Sequence, residues 1–235
     1  MSLSEFYSGM RKGFPIALGY LPIAIAFGLL AKIVGLSIQS SILMSAVVFA
    51  GASQFIALNL LLAETNHWQI IFTVLIINLR HFLMSAFISQ RINKKSRKLL
   101  PLLAFGITDE TFSLISLNLH TNNNLSFVLG INLSAYIGWV AGTVIGVAVG
   151  KGLPVIVQTS MGIALYVMFI GLLIPGIKKS KEKLAVSLIA VGINSYLYWG
   201  PALISSLNKG WKIMITVVIT CTLGSLIFKG VTNNE

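Results

Sequence analysis

Eight long apolar runs, separated by short polar stretches, constrain this chain more than any other feature. A transmembrane helix needs about 20 predominantly apolar residues, and each run approaches or exceeds that length. The runs lie at residues 14–34, 37–63, 68–90, 99–119, 125–150, 154–177, 184–207 and 211–230. Only 10% of the residues are charged, too few to cover the surface of a water-soluble domain. The pattern predicts an all-α polytopic membrane protein, because helices satisfy their own backbone groups in lipid.

The basic residues indicate how many of these runs cross the membrane. Most of them lie in short loops, which is the positive-inside pattern and not a nucleic-acid groove. If all eight runs crossed, "RINKKSRK" (91–98) would lie outside, and nine basic residues outside would face seven inside. If 37–63 and 154–177 are instead broken or re-entrant, the count becomes thirteen inside and three outside. We therefore expect six crossings, two re-entrant segments and two cytoplasmic termini.

A weak internal similarity suggests that the chain has two halves. "INLRHFLMSAFIS" (77–89) and "INSYLYWGPALIS" (193–205) share five of thirteen residues. Residues 1–120 and 121–235 are expected to form an inverted structural repeat, each half reading span, broken segment, span, span. Secondary transporters of this plan bind their solute where discontinuous helices meet. The alternative is eight plain helices with a kink at Gly51.

A polar interruption in the second run, within "FAGASQFIAL" (49–58), predicts the binding site. We expect Gly51–Gln54 to be the tip of a hairpin that enters from outside, with Gly51 in the turn and Ser53 capping the ascending arm. The N-terminus of that arm suits a carboxylate, and the C-terminal end of the descending arm suits an ammonium group. The predicted substrate-binding residues are Gly51, Ala52, Ser53, Gln54, Phe55, Asn78, Asn132, Tyr136, Trp139 and Asn194.

Four ionisable residues fall inside predicted spans, where charge is costly and usually functional. Arg80 is expected to pair with either Asp109 or Glu110, since adjacent side chains on a helix point about 100° apart. Two interpretations are open: the pair only joins two helices, or one carboxylate carries a coupling proton. His81 is either a proton relay or a hydrogen-bond donor to a neighbouring helix. Asn78 and Asn194 either cap broken helices, contact the substrate or join neighbouring helices.

Enzyme signatures are missing from the sequence. It contains no H-E-x-x-H, no G-x-S-x-G and no P-loop. Its single cysteine, Cys221, excludes a disulfide within the chain and a cysteine-based metal site. We expect a transporter that needs no cofactor or metal. A channel or facilitator for a small solute, without ion coupling, is the alternative.

Four motifs in order resemble the AzlC family, the large subunit of bacterial branched-chain amino-acid exporters. They are "FAGASQF" (49–55), "NLRHFLMSAFI" (78–88), "TDETF" (108–112) and "INLSAYIGWVAGTVIGVAVG" (131–150). The resemblance implies export of branched-chain amino acids across the bacterial inner membrane, driven by the proton gradient. It also implies a small AzlD-type membrane subunit as partner, and a higher oligomer is possible.

Overall fold

A computed structural model describes residues 2–92, 98–118, 124–149, 170, 173–174, 177–178, 180–201, 207 and 209–228. These residues are mostly helical and contain no strand, as predicted. The helices of at least six residues are α1 (Leu3–Ile33), α2 (Ile38–Val48), α3 (Gly51–Leu62), α4 (His67–Arg91), α5 (Leu100–Phe105), α6 (Asp109–Asn118), α7 (Leu125–Val149), α8 (Lys181–Trp199) and α9 (Lys209–Ile227). The predicted broken segment at 154–177 lies almost entirely outside the described residues.

Four of these helices are long and apolar enough to cross a membrane. They are α1, α4, α7 and the part of α9 from Gly210 to Ile227, which correspond to four predicted spans. The span predicted at 184–207 ends earlier than expected, because α8 ends at Trp199. Gly200 is extended there, and the following Pro201 disfavours helical geometry at the residue before it.

The chain divides into two compact units. The first contains residues 1–58 and 78–165, and the second contains residues 59–77 and 166–235. In the second unit, α8 and α9 run antiparallel. Lys212 lies over the Tyr198 ring at one end, while a Cβ on Gly224 would come within 3.2 Å of Val186 at the other.

The first unit is built around the contact between α1 and α7. A Cβ added to Gly9 would lie 2.0 Å from the Phe127 carbonyl oxygen, and one added to Gly146 would lie 2.3 Å from that of Ile25. The backbones therefore touch, as small residues allow in membrane helix pairs. Other glycines in this contact are Gly13, Gly28, Gly130, Gly138 and Gly142. Residue numbers rise together on both helices, so α1 and α7 are parallel.

This parallel packing contradicts one part of the predicted topology. An inverted repeat that pairs 14–34 with 125–150 requires these two helices to run in opposite directions. The error arises at 99–119, which was predicted as one crossing. The structure breaks this run between α5 and α6, at residues 106–108. Neither helix alone reaches across the ~30 Å hydrocarbon core, since ten residues of helix span about 15 Å.

Helices α2 and α3 form a first hairpin. Its tip is at residues 49–50, where Phe49 adopts a left-handed conformation with φ 43° and ψ 43°. Gln54 Nε2 donates to Ser45 Oγ at 3.3 Å, although nine residues of continuous helix would separate them by about 13 Å. The chain therefore reverses between these residues. The break was predicted, but its position at 51–54 was wrong, because Gly51 is already helical.

The direction of α3 follows from its contacts with α1. The Phe49 ring lies 6.4 Å from the Tyr20 ring, and the Phe55 ring lies 5.6 Å from the Phe27 ring, measured between centroids. The arm that begins at Gly51 thus runs parallel to α1, back toward the end where α2 begins. Helix α2 starts just after α1 ends, so the first hairpin enters from the C-terminal end of α1.

Helices α5 and α6 form a second hairpin, which enters from the opposite end. On α7, Asn132 donates to the Leu103 carbonyl at 3.0 Å, and the ring of Tyr136 lies 5.9 Å from that of Phe105. These contacts make α5 parallel to α7.

Helix α6 runs back along α1. Its Glu110 contacts Tyr20 near the tip, and its Asn118 accepts a 2.6 Å hydrogen bond from Lys12, nearer the N-terminus of α1. The second tip, residues 106–108, therefore meets the first tip at the level of Tyr20. The Phe49 and Phe105 rings, one from each hairpin, lie 6.0 Å apart.

A candidate transport site at two opposed helix breaks

The backbone at the first tip is satisfied by a buried glutamine. Gln54 is 0% exposed, and its Oε1 accepts hydrogen bonds from the Ala50 N–H at 3.2 Å and from Trp139 Nε1 at 3.1 Å. An unpaired backbone N–H in lipid would cost several kcal/mol, so a polar side chain belongs here. Ser53 was predicted to cap the ascending arm, which is wrong. Its hydroxyl donates to the Ala50 carbonyl at 2.9 Å instead.

Gly51 permits close packing rather than a turn. A Cβ at this position would lie 2.7 Å from the Trp139 ring. That ring in turn packs edge-on against Tyr20, with 5.5 Å between the centroids. Ala52 and Phe55 are buried in the same helix. The predicted residues of the first tip thus form a mostly aromatic and neutral assembly.

The second tip is held by a reciprocal pair of threonines. The Thr108 N–H donates to Thr111 Oγ1 at 2.8 Å, and the Thr111 N–H donates to Thr108 Oγ1 at 3.4 Å, which caps α6. Thr111 Oγ1 also donates to the Gly106 carbonyl at 3.2 Å. His81 Nδ1 lies 2.8 Å from the Ile107 carbonyl oxygen. Because a carbonyl only accepts, this nitrogen carries the hydrogen. His81, on α4, therefore donates a hydrogen bond to the second tip, which agrees with the donor interpretation of its role.

The ionisable residues are divided between two partners. Arg80 Nη1 lies 2.6 Å from Asp109 Oδ2, with both side chains 36% exposed, which confirms the predicted ion pair. Glu110 does not share this arginine; its Oε2 accepts a hydrogen bond from the Tyr20 hydroxyl. Both carboxylates lie in the first turn of α6, where the helix dipole favours negative charge.

Tyr20 and Tyr136 each contact both tips. The Tyr20 ring packs against Phe49, while its hydroxyl lies 2.7 Å from Thr108 Oγ1 and also binds Glu110. Tyr136 donates to the Ala46 carbonyl at 3.0 Å, and its ring contacts both Phe49 and Phe105. Tyr20 was absent from the predicted site. A tyrosine between two prolines in a predicted span is the signal that could have found it.

A mostly apolar cavity of about 320 Å³ adjoins the second tip. Its lining residues are Phe6, Leu102, Phe105, Gly106, Leu129, Asn132, Leu133 and Tyr136. The Asn132 side chain donates through Nδ2 to Leu103, while its buried Oδ1 has no hydrogen-bond partner among the described residues. A cavity of this size and lining can hold a small aliphatic solute.

Two predicted substrate-binding residues remain, Asn78 and Asn194. Asn78 is on α4, and its buried Oδ1 has no hydrogen-bond partner within the described part of the chain. Asn194 belongs to the second unit, where Thr216 donates to it at 3.5 Å. That contact joins α8 and α9, which favours the helix-joining interpretation for Asn194. Within the described ranges, no group of three His, Cys, Asp or Glu residues could hold a metal ion.

The two hairpins and α7 fall within a stretch that matches a known family. The family model described as AzlC protein matches residues 15–153, which is more than half of the chain. The chain belongs to the AzlC family. Inner membrane protein YgaZ of Escherichia coli is 35% identical to it over 197 residues, covering 80% of each chain. An uncharacterized membrane protein of Archaeoglobus fulgidus is 35% identical over 194 residues, covering 82% of this chain and 85% of its own.

One AzlC relative carries a name that states a function. The branched-chain amino acid transport protein AzlC of Bacillus subtilis is 32% identical over 149 residues, covering 61% of this chain and 58% of its own. No solved structure matches the chain. The chain is thus a membrane protein of a family associated with transport.

Proposed function

We propose that this chain is the large subunit of a secondary exporter of branched-chain amino acids, driven by protons across the bacterial inner membrane. The observation that carries the proposal is the meeting of two helix breaks from opposite ends of the first unit. Discontinuous helices of this kind build solute sites in secondary transporters. The name of the Bacillus subtilis relative supports the substrate class. A small AzlD-type subunit is part of the proposal.

The proposed site offers a place for each part of an amino acid. The N-terminus of α3 at Gly51 suits the carboxylate, because helix N-termini favour anions. The carboxylate of Glu110 suits the ammonium group. The cavity beside Tyr136 and Asn132 suits an aliphatic side chain, since it is lined largely by leucine and phenylalanine. Ala52, Ser53, Gln54, Phe55 and Trp139 would keep the first tip in shape. Asn78 and Asn194 retain no assigned contact with substrate.

The orientation of the chain is part of the proposal. Arg11 and Lys12 in α1, together with Arg91 at the end of α4, mark one side of the first unit, which the positive-inside rule makes cytoplasmic. The four lysines between 178 and 183 lie just before α8 or in its first turn, and Lys229 follows α9 in the sequence. Since α8 and α9 are antiparallel, those two ends lie together. Both termini are then cytoplasmic.

Counterflow of leucine tests the proposed function. Vesicles that contain the full chain and its small subunit are loaded with unlabelled leucine, and the entry of trace labelled leucine is followed. We expect transient accumulation with leucine, isoleucine or valine inside and none with glutamate inside. The matched control is a vesicle with the small subunit alone. If no aliphatic amino acid supports counterflow, the proposal is rejected.

The opposed hairpins also suit the alternative of a channel, because two short hairpins can line one narrow path. A channel would pass its solute without saturation at low concentration and without moving protons. An uptake rate that rises linearly with leucine concentration, in the absence of counterflow, would favour that function.

A further inference from the structure

The two carboxylates at the second tip have different partners. Asp109 has an arginine at 2.6 Å, whereas Glu110 on the next position contacts the neutral hydroxyl of Tyr20. Within the described part of the chain, no ion pair includes Glu110. The second tip therefore leaves one carboxylate without a cation, in a part of the protein where an uncompensated charge is costly.

Among the described residues packed near Glu110, none is a cation left to pair with it. Helix α1 contributes Tyr20, and α4 contributes Arg80, which binds Asp109, and His81, whose Nδ1 is bound to the Ile107 carbonyl. Helix α7 contains no charged residue. Lys12 binds Asn118 at the far end of α6. Among the described residues, none therefore supplies a cation for Glu110, which leaves its carboxylate open to a proton or to a bound ammonium group.

We propose that Glu110 is a shared site at which a proton and the ammonium group of the substrate exclude each other. This proposal rests on the proposed function and deepens it. When leucine binds, its –NH₃⁺ replaces the carboxylic acid proton, so that Glu–COOH and leucine give Glu–COO⁻···⁺H₃N–R and a free proton. The proton must leave Glu110 before the ammonium group binds, and the ammonium group must leave before the proton returns. The protein therefore exchanges one substrate molecule for one proton. Tyr20 is a positioning residue, because its hydroxyl holds the carboxylate.

Proton release on leucine binding tests this exchange directly. The full chain with its small subunit is purified in weakly buffered detergent, leucine is added, and a pH indicator is read over a series of pH values. The wild type should release up to about one proton per leucine bound, and more at acidic than at alkaline pH. The apparent Kd for leucine should rise as the pH falls, approaching about tenfold for each pH unit in the acidic range.

Three variants separate the role of Glu110 from that of other titratable residues. Glu110→Gln keeps an acceptor for the Tyr20 hydroxyl but should lose the release of protons and the pH dependence of binding. Glu64→Gln, at an exposed carboxylate after α3, should keep both and is the matched control. Release that is unchanged in Glu110→Gln, or lost equally in Glu64→Gln, would overturn the proposal. Release that is lost in His81→Gln but kept in Glu110→Gln would assign the proton to His81 instead.

Two further measurements keep the outcome decisive. If Glu110→Gln fails to assemble, Glu110→Asp replaces it, and its release should shift along the pH axis; an unshifted profile contradicts the proposal. Counterflow by the wild type separates this proposal from the proposed function. Counterflow without proton release rejects only the shared site, whereas absence of both leucine binding and counterflow rejects the proposed function.

Discussion

The two hairpins approach each other from opposite ends of the first unit, yet their tips are built differently. The first tip is neutral: a fully buried glutamine, a serine and three aromatic rings satisfy and cover its backbone. The second tip carries two carboxylates, an arginine and a histidine. The proposed function therefore gives the first tip the role of a fixed wall of the site, and it gives the second tip the change of charge during transport.

Loss of the buried glutamine should have the largest effect on stability. Gln54→Leu leaves the Ala50 N–H and Trp139 Nε1 without acceptors, and each buried unsatisfied group costs about 1–3 kcal/mol. We expect a clear fall in melting temperature in detergent and loss of counterflow. Gln39→Leu, at an exposed position of α2, is the matched control. A Gln54→Leu protein as stable as this control would show that the first tip does not depend on Gln54.

A methyl group at Gly51 should disturb the first tip through packing alone. Gly51→Ala places its Cβ 2.7 Å from the Trp139 ring, and overpacking of this kind costs about 1–3 kcal/mol. Adding Trp139→Phe should restore part of the stability, because the smaller ring makes room. Gly19→Ala on α1, where nothing lies within 4 Å, controls for the substitution itself. Melting curves of the wild type and these three variants decide; equal losses at Gly51 and Gly19 would contradict the packing role.

At the second tip, the ion pair should show coupling between its partners. Arg80→Gln leaves Asp109 without its cation, and the double variant with Asp109→Asn should recover part of the lost stability. Contacting residues of this kind typically give coupling energies of about 0.5–3 kcal/mol in a double-mutant cycle. The cycle is measured by thermal unfolding and by counterflow. Additive effects would mean that the pair contributes nothing beyond its separate side chains.

The smallest effect is expected from the hydroxyl groups that hold the two tips. Thr111→Val removes the acceptor of the Thr108 N–H, and loss of such a cap costs about 0.5–2 kcal/mol. Ser53→Ala removes one bond to the Ala50 carbonyl at the first tip and should cost less. If the second tip moves charge, Thr111→Val should also change the rate of counterflow, whereas Ser53→Ala should change only stability. The reverse pattern would exchange the roles of the two tips.

Much of the site could be predicted from single residues. The break near Gln54 and the pairing of Arg80 with one carboxylate follow from the cost of polar groups in lipid, which is a local property. The second hairpin was missed because 99–119 has spanning length and carries charged residues only at its centre. Thr108 and Thr111, three residues apart, were the available signal of a helix start there.

The direction of the helices could not be predicted in the same way. Gly138, Gly142 and Gly146 recur every four residues and indicate a face that packs closely, but they do not name the partner. Basic residues supported an even number of crossings between α1 and α7, whereas the parallel contact requires an odd number. The number of basic residues on each side depends on which runs are assumed to cross the membrane. Residues 99–119 were predicted to cross, whereas the structure breaks them into a hairpin.

Composition and the spacing of polar residues determined that this chain is a helical membrane protein, and they placed its costly side chains. They did so because each residue contributes its own free energy of transfer into lipid, and lipid is a nearly uniform apolar solvent. The tertiary structure decided that two hairpins oppose each other and that Arg80 compensates Asp109 rather than Glu110. Those outcomes depend on which helix faces meet and in which direction, and such pairing is a property of the assembled helices, not of any one segment.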